Sequence, residues 1–219
     1  MTTPNQIWLG VVINTFLFGP VVKKLLLMLA ATLSFFKAQA DYEPTLLPEL
    51  IDGSDLIFYG EIVEMQKGVI TAKAVEIIKG VNPKGDVVID KFKNWTCANR
   101  FAPYRIGQTE LFFLKREKAV SHYYALGAAN EGEMPVINQK VYYQNQYLRI
   151  DKNPRLFKVY GGAICGYVYD KSKFSEALKF YMRFRTDVRA DIIHNQARID
   201  TTKNIVLLRL FAELQEKPF

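Results

Sequence analysis

Two long strand-like runs joined by a short turn constrain the fold of this chain more than any other feature. The first run, Leu56 to Met65, is apolar for most of its length. The second run, Val69 to Ile78, alternates apolar and polar residues, which is typical of a β-strand with one covered face. Lys67-Gly68 stands between them and is typical of a hairpin turn. The pattern therefore predicts an antiparallel hairpin.

More strands follow the hairpin. Turn residues at Asn82-Pro83-Lys84-Gly85 precede the third run, and a loop containing Pro103 precedes the strongly apolar fourth run. The predicted strands are Leu56–Met65, Val69–Ile78, Val87–Phe92, Thr109–Lys115 and Ser121–Ala128. The region from residue 136 to 170 predicts shorter strands around Tyr142-Tyr143, residues 147–150 and residues 167–169.

Helical patterns flank the strands. Residues 46–51 suggest a short helical turn before the first strand. Ser172 is a candidate N-cap for a helix whose apolar stripe is Phe174, Leu178, Tyr181, Val188 and Ile192. A second helix is expected over residues 205–214. Strands followed by helices predict an α+β fold, with a closed or partly open barrel as the expected sheet.

The N-terminus has the pattern of a secretory signal peptide. Lys23-Lys24 precedes an apolar run, Leu25 to Phe36, and small residues stand at positions −3 and −1 of a cleavage site that ends at Ala40. An apolar run of about 12 residues is shorter than the roughly 20 needed to span a bilayer as a helix. Cleavage would make Asp41 the new N-terminus and would leave no stable membrane span.

A second apolar run, residues 7–22, precedes the two lysines. It is read either as a membrane anchor or as a sign that translation begins near Val21 or Val22. The expected organisation is a signal peptide over residues 1–40 and one domain over residues 41–219. The expected location is outside the cell or in the periplasm.

Charge limits the classes of partner. The formal net charge is +7, but three of the lysines lie in the signal, and no dense cluster of Lys and Arg occurs. Nucleic-acid binding therefore receives little support.

The two cysteines, Cys97 and Cys165, admit three interpretations. An even pair in an oxidising compartment is most simply a disulfide. Buried free thiols and a reactive cysteine remain the alternatives. His122 and His194 show no ligand spacing with either cysteine, so no metal site is predicted. No cofactor motif is predicted either.

Several further features have a structural and a functional interpretation. Residues 161–166 are glycine-rich but lack the ending of a phosphate-binding loop, so a bent strand is expected. Asn94 begins an N-glycosylation sequon.

Glu131 and Glu133 are expected in a solvated loop, and His194 is expected to cap a helix. The tyrosines between residues 142 and 169 are expected mainly in the sheet core, with a carbohydrate- or protein-binding surface as the alternative.

The order of these motifs resembles a known family. Residues 54–63 are followed by Ala74-Val75-Glu76-Ile77-Ile78-Lys79-Gly80, then by a lone cysteine, and then by Tyr104-x-x-Gly107-x-x-x-Leu111-Phe112-Phe113-Leu114. This sequence resembles the netrin-like OB-fold domain of tissue inhibitors of metalloproteinases and of many secreted bacterial proteins. The resemblance covers roughly residues 50–130 and extends loosely into the helix that contains Phe174.

The chain departs from this family at its N-terminus. The metalloproteinase inhibitors use an N-terminal cysteine to chelate the zinc of the protease, whereas Asp41 is the predicted N-terminus here. Ala98 also follows Cys97 where the family often has glycine. The resemblance therefore implies an α+β fold, namely a five-stranded OB-like β-barrel with C-terminal helices. It does not imply the inhibitory chemistry.

The sequence thus predicts an exported, non-catalytic binding protein whose partner is another envelope or extracellular protein. The alternatives are an envelope enzyme with Cys97 or Cys165 as nucleophile, and a structural accessory subunit. No residue receives a catalytic assignment.

Overall fold

The predicted hairpin forms the first two strands of a β-barrel. In the computed structural model, β1 (Leu56–Met65) pairs antiparallel with β2 (Val69–Lys79). Gly68 lies in the connecting turn with φ +88°, a backbone conformation that favours glycine. The structure describes residues 44–95, 98–117, 121–143, 155–159, 162–193 and 204–216, all of which belong to one compact unit, Glu43–Phe219.

Three further strands close the barrel. They are β3 (Val87–Asp90), β4 (Thr109–Arg116) and β5 (Tyr123–Ala125). β3 pairs with β2, β5 lies parallel to β3 and antiparallel to β4, and β4 returns to pair with β1. The resulting order, β1-β2-β3-β5-β4, is a closed five-stranded OB-like barrel, as the sequence predicts.

Four strands extend the sheet beyond β4. They are β6 (Glu133–Ile137), β7 (Lys140–Tyr143), β8 (Arg155–Val159) and β9 (Gly162–Asp170), and their order after β4 is β6-β7-β9-β8. The sequence analysis missed β6, because its first residues read as a polar loop. The expected strand at residues 147–150 lies outside the described residues.

Three helices are described: α1 (Leu47–Gly53), α2 (Lys171–Ile193) and α3 (Ile205–Glu216). Helix α2 kinks at Phe184, whose φ of −113° and ψ of 24° are not helical. The N-cap prediction for Ser172 is wrong, because α2 begins at Lys171, directly after β9. No helix among the described residues is long and apolar enough to cross a membrane.

Strands β1 and β4 are buried on both faces. Leu56, Phe58 and Ile62 of β1 face the barrel interior, whereas Ile57 and Tyr59 face the outer core that the helices share. In β4, Phe112 and Leu114 point inward, and Leu111 and Phe113 point to the outer core. Two-sided burial explains why both strands read as continuous apolar runs.

The helices complete the outer core. The predicted stripe of α2 is buried at Phe174, Leu178, Tyr181 and Val188. Helix α3 buries Val206, Leu210 and Leu214, among others, against the same core. Each fully buried side chain of this size stabilises the fold by about 1.5–3 kcal/mol relative to an exposed one.

A buried carboxylate joins α3 to the start of the fold. Glu213 accepts hydrogen bonds from the backbone N–H of Leu47 at 2.7 Å, from the Tyr143 hydroxyl at 2.9 Å and from Nε of Arg209 at 2.9 Å. Burial raises the pKa of Glu213, and these donors oppose the rise. One side chain therefore connects α1, β7 and α3.

Asp52 connects α1 to the second half of α2. Its carboxylate contacts Arg185 at 3.1 Å and Arg189 at 2.6 Å, and it accepts a hydrogen bond from the Tyr181 hydroxyl at 3.2 Å. Lys79 of β2 donates to the carbonyl of Ile51 at 2.7 Å and so satisfies the C-terminal end of α1.

Two glycines with positive φ provide a matched test of this packing. A Cβ on Gly80 (φ +95°) would lie 2.5 Å from the carbonyl oxygen of Asp55, whereas a Cβ on Gly68 (φ +88°) meets nothing within 4 Å. We expect Gly68→Ala to cost about 1–2 kcal/mol through backbone conformation alone. We expect Gly80→Ala to cost clearly more, because a close contact with backbone is added. Urea unfolding of both variants measures the difference, and equal costs would contradict the close approach at Gly80.

Candidate functional site

The long connection between β3 and β4 is described at residues 91–95 and 98–108, and these residues fold against one end of the barrel. We call them the 91–108 loop. Its last residues join β1, since the N–H of Gly107 donates to the carbonyl of Ile62 at 2.8 Å and the carbonyl of Gln108 accepts from the N–H of Ile62 at 2.9 Å. Its middle is held by a buried arginine.

Arg100 is the central side chain of this loop. Its Nε donates to Oε2 of Glu133 at 2.7 Å, Nη1 donates to the carbonyl of Ala102 at 2.7 Å, and Nη2 donates to Oε1 of Glu110. Its guanidinium carbon also lies 3.7 Å from the ring centroid of Tyr104, a cation–π contact. Arginine suits this position because its planar group presents donors in several directions at once.

Two more loop side chains complete the contacts. The Tyr104 hydroxyl donates to the carboxylate of Glu133, with both oxygens at 2.9 Å, and accepts the N–H of Phe92 at 2.8 Å. Gln108 donates through Nε2 to Oε1 of Glu110. We call Arg100, Tyr104, Gln108, Glu110 and Glu133 the buried ion cluster.

Asparagine side chains fix the backbone around Arg100. Oδ1 of Asn94 accepts the N–H of Arg100 at 2.9 Å, and Oδ1 of Asn130 accepts the N–H of Phe101 at 2.9 Å. Asn94 is exposed, and whether its sequon is glycosylated stays a prediction. The bond from Phe101 to Asn130 joins the loop to the segment before β6.

The prediction of a solvated loop at Glu131 and Glu133 is wrong. Glu133 is fully buried and Glu131 is 7% exposed. Glu131 accepts the N–H of Ala128 at 2.8 Å and that of Thr45 at 3.2 Å. The turn can fold this tightly because Gly132 has no side chain: a Cβ there would lie 2.1 Å from the carbonyl oxygen of Leu126.

Burial dominates the electrostatics of the two carboxyl groups in the cluster. It raises the pKa of Glu110 to about 8 and also raises the pKa of Glu133, while Arg100 acts in the opposite direction. For Arg100, the two carboxylates outweigh burial and raise its pKa. Burial and Glu133 raise the pKa of Tyr104. One arginine thus faces two acids that are difficult to ionise together.

Paired carboxyl groups with raised pKa values occur in acid–base catalysis. Here, however, the side chains of Glu110 and Glu133 are both 0% exposed. A substrate therefore cannot reach them in this conformation. The arrangement positions the 91–108 loop, and its two carboxyl groups are not presented to solvent.

The outer surface of β2, β3 and β5 forms a second feature. Because Ile70, Ala72, Val87 and Ile89 point into the barrel, the alternating residues point outward. We call these outward residues the open face; they are Val69, Thr71, Lys73, Val88, Asp90 and Tyr124. None belongs to the core shared with the helices. At its edge, Nδ1 of His122 lies 3.4 Å from Oδ1 of Asp90.

A surface groove of about 510 Å³ lies at the start of α2. Its lining residues are Glu76, Gln139, Lys171, Ser172, Ser175, Glu176 and Lys179. Glu76 pairs with Lys171 at 3.3 Å and with Lys179 at 3.1 Å. The lining contains two acids, Glu76 and Glu176, and two lysines, so its formal charges balance.

The predicted disulfide stays a prediction. Cys97 lies outside the described residues. Cys165 is described only by its backbone, which lies in β9 and pairs with Leu156 of β8. Ala40, Asp41 and His194 also lie outside the described residues.

Other predictions can be compared with the structure directly. Tyr143, Tyr167 and Tyr169 are at most 7% exposed, which confirms the core interpretation for these three tyrosines. Tyr147 and Tyr160 lie outside the described residues. Gly162 to Gly166 lie in strand β9 and pair with β8 without a register shift. The strand prediction is thus correct, and no β-bulge interrupts the pairing of these residues with β8.

Comparisons with known proteins give no family. No protein-family model matches the chain, and neither the curated proteins nor the solved structures contain a significant match. Among the described residues, no group of three or more His, Cys, Asp or Glu side chains could hold a metal ion. The resemblance to netrin-like domains therefore stays a prediction.

Sequence reasoning missed Arg100, Tyr104 and Glu110 as a unit. Arg100 and Tyr104 stand in an irregular loop, where no periodicity indicates burial. One signal was present: Glu110 directly precedes the apolar run of β4, and an acid in a strand buried on both faces requires a partner. The partner could not be read from the sequence.

We expect Arg100→Met to lower the free energy of unfolding by about 3–5 kcal/mol, because it leaves two buried carboxyl groups without their cation. Lys93→Met is the matched control, since Lys93 is an exposed cation of the same loop. We expect this control to change stability by about 0.5 kcal/mol or less. Denaturant unfolding at neutral pH measures both. Similar small losses would show that the cluster does not hold the loop.

Proposed function

We propose that this chain is an exported, non-catalytic binding protein that contacts another protein through the open face of its barrel. The partner is an envelope or extracellular protein. The domain is netrin-like in this proposal, and residues 1–40 are its signal peptide.

One observation carries the proposal, namely the uneven covering of the barrel. The β1–β4 side is packed against the outer core, and the β2–β3 side faces outward. OB barrels commonly bind ligands on the face of strands 2 and 3 and on the adjoining loops. This is an analogy at the level of the fold, so it supports a location for binding and identifies no particular partner.

The composition of the open face favours a protein over a nucleic acid. Aliphatic Val69 and Val88 alternate with Thr71, and the charges of Lys73 and Asp90 have opposite signs. A nucleic-acid surface would instead show a continuous basic stripe. Trp95, which is 44% exposed, lies in the loop that follows β3. Tryptophan is among the residues that contribute most to protein interfaces.

A site-specific photocrosslinker tests the location. We expect crosslinking groups at Lys73 and Val88 to yield the same protein adduct when the chain is expressed in its host, because both positions lie on the open face. Thr186 is the matched control, an exposed position on α2. Mass spectrometry of the adducts is the measurement.

The binding strength can then be measured with the partner that is identified. Val88→Arg should weaken binding roughly tenfold or more, as expected for a central interface residue. An adduct that forms equally at Thr186, or none at either open-face position, would contradict binding by this face.

Export is tested separately by intact mass. We expect the protein isolated from the envelope or the secreted fraction to begin at Asp41. We also expect Cys97 and Cys165 to resist alkylation until the protein is reduced. Retention of residues 1–40 together with two free thiols would contradict export and would favour the cysteine-enzyme alternative.

A further inference from the structure

We propose that Arg100, Glu110 and Glu133 form a proton-operated latch, which holds the 91–108 loop against the end of the barrel and releases it when the shared proton is lost. The proposal rests on the geometry of the buried ion cluster and does not depend on the proposed function.

The charges of the buried ion cluster balance only when it holds one proton. Arg100 contributes one positive charge, and two carboxyl groups lie against it, both fully buried. With one proton on the pair, the cluster is neutral. Without that proton, the cluster has one uncompensated negative charge in a site that excludes water, which is strongly unfavourable.

The two carboxyl groups of the cluster differ in their hydrogen bonds. Both oxygens of Glu133 accept hydrogen bonds, from Tyr104 and from Arg100, as an ionised carboxylate requires. In Glu110, Oε1 accepts from Arg100 and Gln108, but Oε2 has no hydrogen-bond partner among the described residues. The proton therefore belongs on Glu110. The raised pKa of Glu110, about 8, agrees with this placement.

The buried ion cluster joins the loop to two strands of the sheet. Arg100, Tyr104 and Gln108 belong to the 91–108 loop, whereas Glu110 belongs to β4 and Glu133 to β6. The excess negative charge thus arises at the contact between loop and barrel. Opening the loop lets water reach both carboxyl groups and so relieves the cost of ionising them.

Among the described residues around the cluster, no second buried cation lies beside the two carboxyl groups. On β1, Gly60 pairs with Glu110 and the next residue, Glu61, is exposed. On β6, Pro135 pairs with Glu110. Arg105 of the loop is exposed. In the 126–132 turn, Asn130 accepts from Phe101, and Glu131 accepts from Ala128 and Thr45.

The direction of the pH dependence follows from the raised pKa. The closed loop holds a proton that the open loop releases, so closure is most stable below the ordinary pKa of glutamate. It is lost as the pH rises toward the raised value. The equilibrium constant for opening should rise about tenfold per pH unit between roughly pH 5 and pH 8 and should then level off.

Amide hydrogen exchange of Phe101 tests the latch in the full chain. This N–H donates to Asn130 across the contact between the loop and the barrel, so it exchanges when the loop opens. Exchange is measured from pH 5 to pH 9 and corrected for the known base catalysis of exchange. We expect the corrected opening constant to rise with pH in the wild-type chain. We expect the corrected opening constant to be independent of pH in Glu110→Gln, where Arg100 faces a single carboxylate.

Glu61→Gln is the matched control, because it removes an exposed carboxylate next to the cluster and should retain the wild-type slope. If Glu110→Gln does not fold, Glu133→Gln is used in its place. This variant also leaves one carboxylate beside Arg100, so its opening constant should also be independent of pH. A corrected constant that is independent of pH in the wild-type chain would overturn the latch. So would a slope that survives in the folded glutamine variant.

Discussion

Burial of β1 and β4 on both faces is the constraint on which the rest of the structure depends. Alternate side chains of these strands enter the barrel interior, and the others enter the outer core. A closed barrel supplies only the first of these environments. The three helices and the strands β6, β7 and β9 supply the second, so α1 before the barrel and the C-terminal half of the chain together cover it. The β2–β3 side has no such requirement and can face outward.

Three buried or half-buried ionic contacts then fix segments that are distant in sequence. Asp52 holds the second half of α2, Glu213 holds α3, and Arg100 holds the 91–108 loop. Buried ion pairs contribute little net stability when compared with apolar side chains of similar size, but the loss of one partner is costly. They therefore specify where each segment lies more than they strengthen the fold as a whole.

The buried ion cluster differs from the other two contacts in its charge. Glu213 has Arg209 beside it, and Asp52 has two arginines, whereas Arg100 alone serves two acids. Only in this cluster does neutrality require a proton. The loop held in this way follows β3 of the open face and contains the exposed Trp95. A change in protonation would thus alter the surface next to the proposed binding face while leaving the barrel closed.

The sequence by itself determined the α+β class, the five strands of the barrel and the C-terminal helices, because each of these elements has a local period that side-chain burial imposes. Residues 56–65 and 109–115 read as buried strands without any knowledge of their neighbours. The tertiary structure alone decided the role of Glu133, which reads as a loop acid and lies in the core opposite Arg100. Residues 100, 110 and 133 meet only after the barrel has closed. No local pattern records such a pairing, because its free energy comes from excluding water around charges that are distant along the chain.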